Sequence, residues 1–320
     1  MRMWEEAERI SLFGMEMYRF GFFAAIGMLA AAGVLALLCA QRRCKAGTAP
    51  LLTLLSLVLG GLLSRAGFCL MNQELGFLMP LWSWTAFTGG GWSMIGAVGG
   101  MLLAGWMTAE ATGQKTGEIL DLTACAVPVF FLFERIGEEW PGDPFNINYS
   151  RLLDSSFLNE TFLTVSDYDG SYLATRRLAA IVMGILFIVL LADTFRSRRN
   201  GDTCLLFLML FGACSILLES LRYDRFLSIS FVGLEHICSA FFLLAGVLIP
   251  ARRCWAQNRR LAITGIISVF AAAGIALGLE FALDRSTMNK ILIYVLYVAV
   301  MCVPVVLGVR LRRMQKAAEQ

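Results

Sequence analysis

Ionisable residues stand inside or at the edges of long apolar stretches of this chain, and they are the first candidates for chemistry. A charge inside a lipid bilayer is costly, so an ionisable side chain there marks a functional site by default. The residues in such positions are Arg65, Asp121, Glu134, Arg135, Glu219, Arg222 and Glu280. Glu219 and Arg222 are three residues apart, which places them side by side on one face of a helix.

Three of these residues, Arg65, Arg135 and Arg222, are predicted to lie near the outer ends of the second, fourth and sixth apolar stretches. Arginine presents a planar fork of N–H donors that matches the oxygens of a phosphate group. The pattern therefore predicts a phospholipid-binding site. The alternative interpretation is that each arginine extends to the lipid headgroups or neutralises a nearby carboxylate.

A glycine-rich run occupies residues 89–100. It lacks the Gly-Lys-Ser/Thr ending of a phosphate-binding P-loop, so nucleotide binding is not predicted. Gly96 and Gly100 are four residues apart, a spacing that favours close packing of two helices. An alternative is that backbone N–H groups of the run bind an anion at the N-terminus of a helix.

The composition is that of a membrane protein, because 58% of the 320 residues are hydrophobic and only 16% are charged. Apolar runs of about 18–22 residues recur, each long enough to cross a hydrocarbon core of ~30 Å. Backbone polar groups in a bilayer must be satisfied internally, so the expected fold is an all-α polytopic membrane protein with about nine transmembrane helices and a small extracytoplasmic head segment. The runs are residues 20–40, 51–70, 93–109, 119–133, 178–191, 204–221, 231–249, 261–281 and 291–309, of which the fourth and fifth are short.

Basic clusters follow the first, fifth, seventh and last runs, and such clusters mark the cytoplasmic side of a membrane protein. All four fall on one side only if the N-terminus is outside and the number of spans is odd, which predicts a cytoplasmic C-terminus. The net charge of +3 is therefore a topology signal, and no nucleic-acid partner is predicted. The clusters are Arg42, Arg43 and Lys45; Arg196, Arg198 and Arg199; Arg252, Arg253, Arg259 and Arg260; and Arg310, Arg312, Arg313 and Lys316.

Metal chemistry is not indicated by the cysteines and histidine. The nine cysteines include no C-x-x-C pair, and His236 is the only histidine. The sequence therefore predicts no metal site and no cofactor, with most cysteines serving as small apolar packing residues.

Residues 134–177 interrupt the series of apolar runs and are rich in Asp, Asn, Ser, Tyr and Pro. The segment is too long for a simple connection, so we expect it to form the extracytoplasmic head segment. Glu138, Glu139 and Asp143 within it form either an acid/base cluster or, as their polar surroundings favour, a solvated loop face.

Five motifs occur in order along the chain. They are Phe20-Gly21 with Arg42-Arg43; Leu63-Ser64-Arg65-Ala66-Gly67; Gly90-Gly91-Trp92-Ser93-Met94-Ile95-Gly96; Leu120-Asp121-Leu122 through Pro128 to Glu134-Arg135-Ile136-Gly137; and Gly201-Asp202 with Phe211-Gly212 and Glu219-Ser220-Leu221-Arg222. Together they resemble the motifs of the prolipoprotein diacylglyceryl transferase family. The resemblance predicts a transferase-like membrane domain at 1–250, including the head segment 134–177. Residues 251–320 would add two transmembrane helices and a basic cytoplasmic tail.

Enzymes of that family transfer diacylglyceryl from phosphatidylglycerol to the thiol of a lipobox cysteine in bacterial prolipoproteins. The resemblance thus implies phosphatidylglycerol, other membrane lipids and prolipoprotein signal peptides as partners, and a place in the bacterial cytoplasmic membrane. It implies Arg65, Arg135 and Arg222 as phospholipid-binding residues and Asp121 as a structural polar residue.

The chain departs from the family pattern at two positions that matter for catalysis. The family histidine, a proposed base for the cysteine thiol, falls on Ile95, and an expected arginine falls on Ser215. Isoleucine cannot accept a proton, so a base must come from elsewhere, and Glu138 and Glu219 are the candidates for catalytic residues. A cysteine thiol is only a few per cent ionised at neutral pH, so we expect little transfer without a base.

Two other functions stay open at this point. A catalytically impaired paralogue that binds membrane lipids or lipoproteins is favoured by the two departures at Ile95 and Ser215. A small transporter would show repeat symmetry and a broken helix pair, for which only the glycine run offers any sign.

Overall fold

The computed structural model describes residues 9–12, 14–71, 91–138, 149–152, 161–167, 170–196, 199–222, 228–229, 232–286 and 288–318. Within these residues there are nine helices: α1 (Arg19–Gln41), α2 (Thr48–Met71), α3 (Met94–Thr112), α4 (Thr116–Gly137), α5 (Thr175–Arg196), α6 (Asp202–Ser220), α7 (Leu234–Arg253), α8 (Arg259–Arg285) and α9 (Lys290–Ala318).

Eight of these nine helices are long and apolar enough to cross a membrane. The all-α polytopic membrane fold predicted from the sequence is therefore confirmed. The remaining helix, α4, has 22 residues, of which 14 are buried, and it carries Glu118, Asp121, Glu134 and Arg135. The runs predicted at 119–133 and 178–191 are longer in the structure, because polar and charged flanking residues continue both helices.

The described residues also include seven short strands. β1 (Arg9–Leu12) and β2 (Met15–Tyr18) form an antiparallel hairpin before α1. β3 (Tyr149–Leu152), β4 (Thr164–Asp167) and β5 (Gly170–Ala174) form a sheet in the order β3-β5-β4, in the segment predicted as the head. β6 (Ser228–Ile229) and β7 (Val232–Gly233) pair just before α7.

The chain divides into two compact units. The first contains residues 1–149 and 174–196, and hence α1 to α5. The second contains residues 150–173 and 197–320, and hence α6 to α9.

Glycines allow the backbones of the first unit to approach closely. A Cβ at Gly96 would collide with the carbonyl oxygen of Leu63, and a Cβ at Gly100 with that of Leu59. The predicted packing role of Gly96 and Gly100 is therefore confirmed, because α2 and α3 meet along this face. Gly27 has the same role between α1 and α4, where a Cβ would lie 2.8 Å from the Phe130 carbonyl oxygen.

Helix α6 is the centre of the second unit, since 16 of its 19 residues are buried. A helix that is apolar on every side needs partners all around it. Helix α9 holds α6 at both ends: the Tyr294 hydroxyl donates to the Ser220 carbonyl oxygen at 3.0 Å, and Arg312 Nη1 donates to the Asp202 carbonyl oxygen at 2.6 Å.

Candidate functional site

The N-terminus of α3 is fixed to α2 by two serines. The Ser93 side chain caps α3 by accepting a hydrogen bond from the Gly96 N–H at 3.2 Å. The Ser64 hydroxyl donates to the Ser93 carbonyl oxygen at 2.8 Å, and the Ser93 N–H donates to the Ser64 carbonyl oxygen at 3.1 Å. The residues just before α3 therefore have a defined position beside Arg65, the next residue of α2.

Two of the three predicted phospholipid-binding arginines meet at this helix start. Arg65 Nη1 donates to the Gly91 carbonyl oxygen at 3.0 Å, and Arg135 Nη2 lies 3.2 Å from Met94 Sδ. Both arginines are buried, with 5% and 8% of their surface exposed. The first unit thus places two guanidinium groups on the segment between Gly91 and Met94, although they are 70 residues apart in sequence.

Carboxylates surround Arg135. Its Nε lies 3.4 Å from Glu134 Oε2, and its Nη1 forms an ion pair with Glu138 three residues later. Neutralisation of the arginine by nearby carboxylates, the alternative interpretation of the sequence, therefore describes part of its environment. The ion pairs also hold the guanidinium in place, which a phosphate-binding fork requires.

The first turn of α3 contains Ile95, where the resemblance leads us to expect a histidine. Ile95 is the second residue of α3 and is 7% exposed, packed next to Met94 and its arginine contact. Gly91, four residues earlier, has a φ of +78°, and a Cβ there would collide with the ring of Phe68. The close approach of α2 to this loop thus requires glycine at position 91.

In the second unit, the predicted neighbours Glu219 and Arg222 form an ion pair. Arg222 Nη1 lies 3.8 Å from Glu219 Oε2, and Glu219 is 6% exposed at the end of α6. Ser215, where the resemblance leads us to expect an arginine, is buried one turn earlier in the same helix. Arg222 is therefore oriented by a carboxylate, like Arg135 in the first unit.

Asp121 is buried in α4 with 6% of its surface exposed. It is 14 residues from Arg135 on the same helix, which corresponds to about 21 Å along the axis. Its predicted role as a structural polar residue stays a prediction. Glu139 and Asp143 lie outside the described residues.

The structure brings together two residues, His236 and Glu280, that are far apart in the sequence. His236 Nε2, on α7, lies 3.6 Å from Glu280 Oε1, on α8, and both side chains are buried. They line a cavity of about 190 Å3 whose other walls are apolar apart from Tyr297. The signals in the sequence were a single histidine and a deep acidic residue, but their pairing across 44 residues depends on how α7 and α8 pack.

Comparison with known proteins gives one family. The family model described as "Prolipoprotein diacylglyceryl transferase" matches residues 8–252, from β1 to the end of α7. Helices α8 and α9 follow the matched region.

Two named relatives carry the same description. The phosphatidylglycerol–prolipoprotein diacylglyceryl transferase of Legionella pneumophila (strain Paris) is 26% identical over 199 residues, which cover 60% of this chain and 73% of the relative. That of Gloeobacter violaceus is 26% identical over 188 residues, which cover 57% of this chain and 66% of the relative. Because the family model covers most of its length, the chain belongs to the prolipoprotein diacylglyceryl transferase family.

Proposed function

We propose that this protein transfers diacylglyceryl from phosphatidylglycerol to the cysteine thiol of a prolipoprotein lipobox. Family membership supports the reaction, and the names of both relatives give its two substrates. The structural observation that carries the proposal is the meeting of Arg65 and Arg135 at the start of α3. Two buried guanidiniums at one helix start suit the phosphate of an anionic lipid.

The reaction is a substitution at carbon. The thiolate sulfur forms a bond to the glyceryl carbon that bears the phosphate, and the C–O bond to that phosphate breaks. Its electron pair stays on the departing glycerol-1-phosphate, which gains one negative charge. Stabilising this charge is the largest part of what the protein must do, because developing charge in a dry site is costly without fixed donors.

We assign Arg65, Arg135 and Arg222 to phospholipid binding. The carboxylates of Glu134, Glu138 and Glu219 each lie within ion-pair distance of one of these arginines and fix it. Catalytic roles for Glu138 and Glu219 stay predictions.

For the membrane arrangement, we propose an N-terminus outside and a C-terminus in the bacterial cytoplasm. The basic residues after α1, α5, α7 and within α9 support this orientation. The ends of α2, α4 and α6 that carry the arginines would then face the outer half of the bilayer.

A lipid- or lipoprotein-binding protein without activity is the second candidate, and Ile95 is the observation that favours it. Complementation separates the two functions. The unmodified chain is expressed in a bacterium depleted of its own transferase, beside an Arg135→Ala variant. We expect growth and lipidated prolipoprotein with the unmodified chain only. Membrane-inserted protein that binds phosphatidylglycerol and yet leaves all prolipoprotein unmodified would favour the binding protein.

A further inference from the structure

The second unit contains a buried polar cluster that the family motifs do not include. Its members are His236 from α7 and Glu280 from α8, with Tyr297 from α9 on the same cavity. His236 is 6% exposed, Glu280 1% and Tyr297 0%. Ionisable groups this deep in a membrane protein are costly and call for a function.

The two ring nitrogens of His236 have different surroundings. Nε2 lies 3.6 Å from Glu280 Oε1, which favours a proton on Nε2 and leaves Nδ1 as the acceptor. Among the described residues, neither ring nitrogen has a hydrogen-bond partner, because 3.6 Å to Glu280 is too long for a hydrogen bond. A neutral imidazole in this tautomer is a ready proton acceptor.

His236 Nδ1 and Glu219 face one small space beside Gly233. A Cβ placed on Gly233 would lie 3.3 Å from His236 Nδ1 and 3.4 Å from Glu219 Oε1. Glycine at 233 therefore keeps a side chain out of the space beside the imidazole and the carboxylate that holds Arg222. The acceptor nitrogen thus lies next to a motif that the resemblance assigns to phospholipid binding.

His236 also lines a cavity that provides room for part of a substrate. Its volume of about 190 Å3 exceeds that of an engineered apolar cavity of ~150 Å3 that takes up benzene. Its walls are apolar, as the end of a lipid or a hydrophobic signal peptide requires.

We propose that His236 is the proton acceptor for the lipobox thiol, and that Glu280 is a positioning residue that orients its ring; this rests on the proposed function. The thiol proton moves to Nδ1, and the thiolate forms the C–S bond as the C–O bond to phosphate breaks. One neutral thiol and one singly charged phosphodiester become a neutral thioether, an imidazolium and a doubly charged glycerol-1-phosphate. The imidazolium then returns its proton to that phosphate or to water.

The assignment gives the two helices beyond the family match a function. Glu280 and Tyr297 belong to α8 and α9, which lie outside residues 8–252. These helices would complete a base that replaces the histidine lost at Ile95.

Three single variants in phosphatidylglycerol vesicles, with a lipobox peptide as acceptor, test the assignment. His236→Gln should lower kcat by about 10²–10⁴-fold, the usual effect of losing a general base, with little change in KM for the lipid. Glu280→Gln should lower kcat less. Glu235→Gln is the matched control on α7, next to His236 and half-buried, and should keep normal activity.

The dependence of the rate on pH distinguishes a catalytic role of His236 from a structural one. The groups nearest His236 are Glu219 from α6, Glu280 from α8 and Tyr297 from α9, with Arg222 paired to Glu219. Without a base, the rate of His236→Gln should rise about tenfold per pH unit towards the thiol pKa of ~8.5. The wild-type rate should rise less steeply. Equal slopes, or normal kcat in His236→Gln, would overturn the assignment.

A measurement that does not depend on enzyme activity tests the role of His236 separately from the proposed transferase function. Because His236 is the only histidine, 15N-histidine labelling gives the NMR signals of one ring. A lipobox peptide should shift these signals, and its Cys→Ala version should shift them less. If wild-type protein transfers nothing but shows this difference, the proposed function fails while the thiol contact stands. Identical shifts with both peptides would end the proposal for His236.

Discussion

At the scale of single residues, the polar side chains of this protein work in pairs. Arg135 is paired with Glu134 and Glu138, Arg222 with Glu219, and His236 with Glu280. In a bilayer an unpaired charge is costly, and Arg135, Arg222 and His236 each have a nearby carboxylate.

The sequence was sufficient to predict that residues three apart, such as Glu219 and Arg222, lie side by side on one helix face. It was not sufficient to predict the contact of Arg65 and Arg135 with the segment between Gly91 and Met94. That contact depends on which faces of α2, α3 and α4 pack together, and periodicity does not determine this in helices that are apolar all round.

Arg135→Lys tests whether the guanidinium fork matters beyond its charge. Lysine keeps the positive charge for Glu134 and Glu138 but lacks the planar pair of parallel N–H donors that binds a phosphate. We expect transfer to fall by about 10²–10³-fold, as for loss of one donor to a developing charge, with an unfolding temperature close to normal. Arg196→Lys, at the exposed end of α5, is the matched control. Normal transfer by Arg135→Lys would show that the guanidinium of Arg135 is not needed to bind the phosphate.

At the scale of helices, close approach of backbones positions the site. The packing of α2 on α3 was predictable from the spacing of Gly96 and Gly100, because small residues four apart form one flat face. The contact of α9 with α6 was not, since the residues that meet are distant in sequence: Tyr294 and Ser220 are 74 residues apart.

Gly100→Ala tests the α2–α3 contact. The new methyl group would collide with the Leu59 carbonyl oxygen, and we expect a loss of about 1–3 kcal/mol in stability. Gly99→Ala is the matched control, because a Cβ there meets nothing within 4 Å. Thermal unfolding in detergent measures both. Equal unfolding temperatures for the two variants would contradict the packing described here.

Arg312→Gln tests whether α9 is an integral part of the second unit. Arg312 is 5% exposed and donates to the Asp202 carbonyl oxygen, so its loss should cost about 1.5–3 kcal/mol. Arg313→Gln, its exposed neighbour, should change stability by less than about 0.5 kcal/mol. If both variants unfold alike, α9 does not anchor α6.

At the scale of the whole molecule, the chain is a multi-pass membrane protein of the transferase family, with two helices beyond the family match. Composition and the recurring apolar runs were enough to predict the class of fold. The division into two compact units was not predictable, because it depends on contacts between helices rather than on their hydropathy.

Topology is tested by thiol labelling from each side of the membrane. The native Cys44 between α1 and α2 is a poor reporter, because burial raises its pKa and leaves less reactive thiolate at neutral pH. Cysteines introduced at the exposed positions Phe162 and Arg313 in a cysteine-free background are better. We expect labelling of position 162 from outside and of position 313 from the cytoplasm. The reverse pattern would overturn the proposed orientation.

The most direct measurement follows both products of the reaction in vesicles. Purified protein receives phosphatidylglycerol and a lipobox peptide, with phosphatidylethanolamine vesicles and a Cys→Ala peptide as controls. We predict diacylglyceryl peptide and glycerol-1-phosphate in equal amounts, and neither product in the controls. Folded protein that binds phosphatidylglycerol but forms neither product would contradict the proposed transferase function.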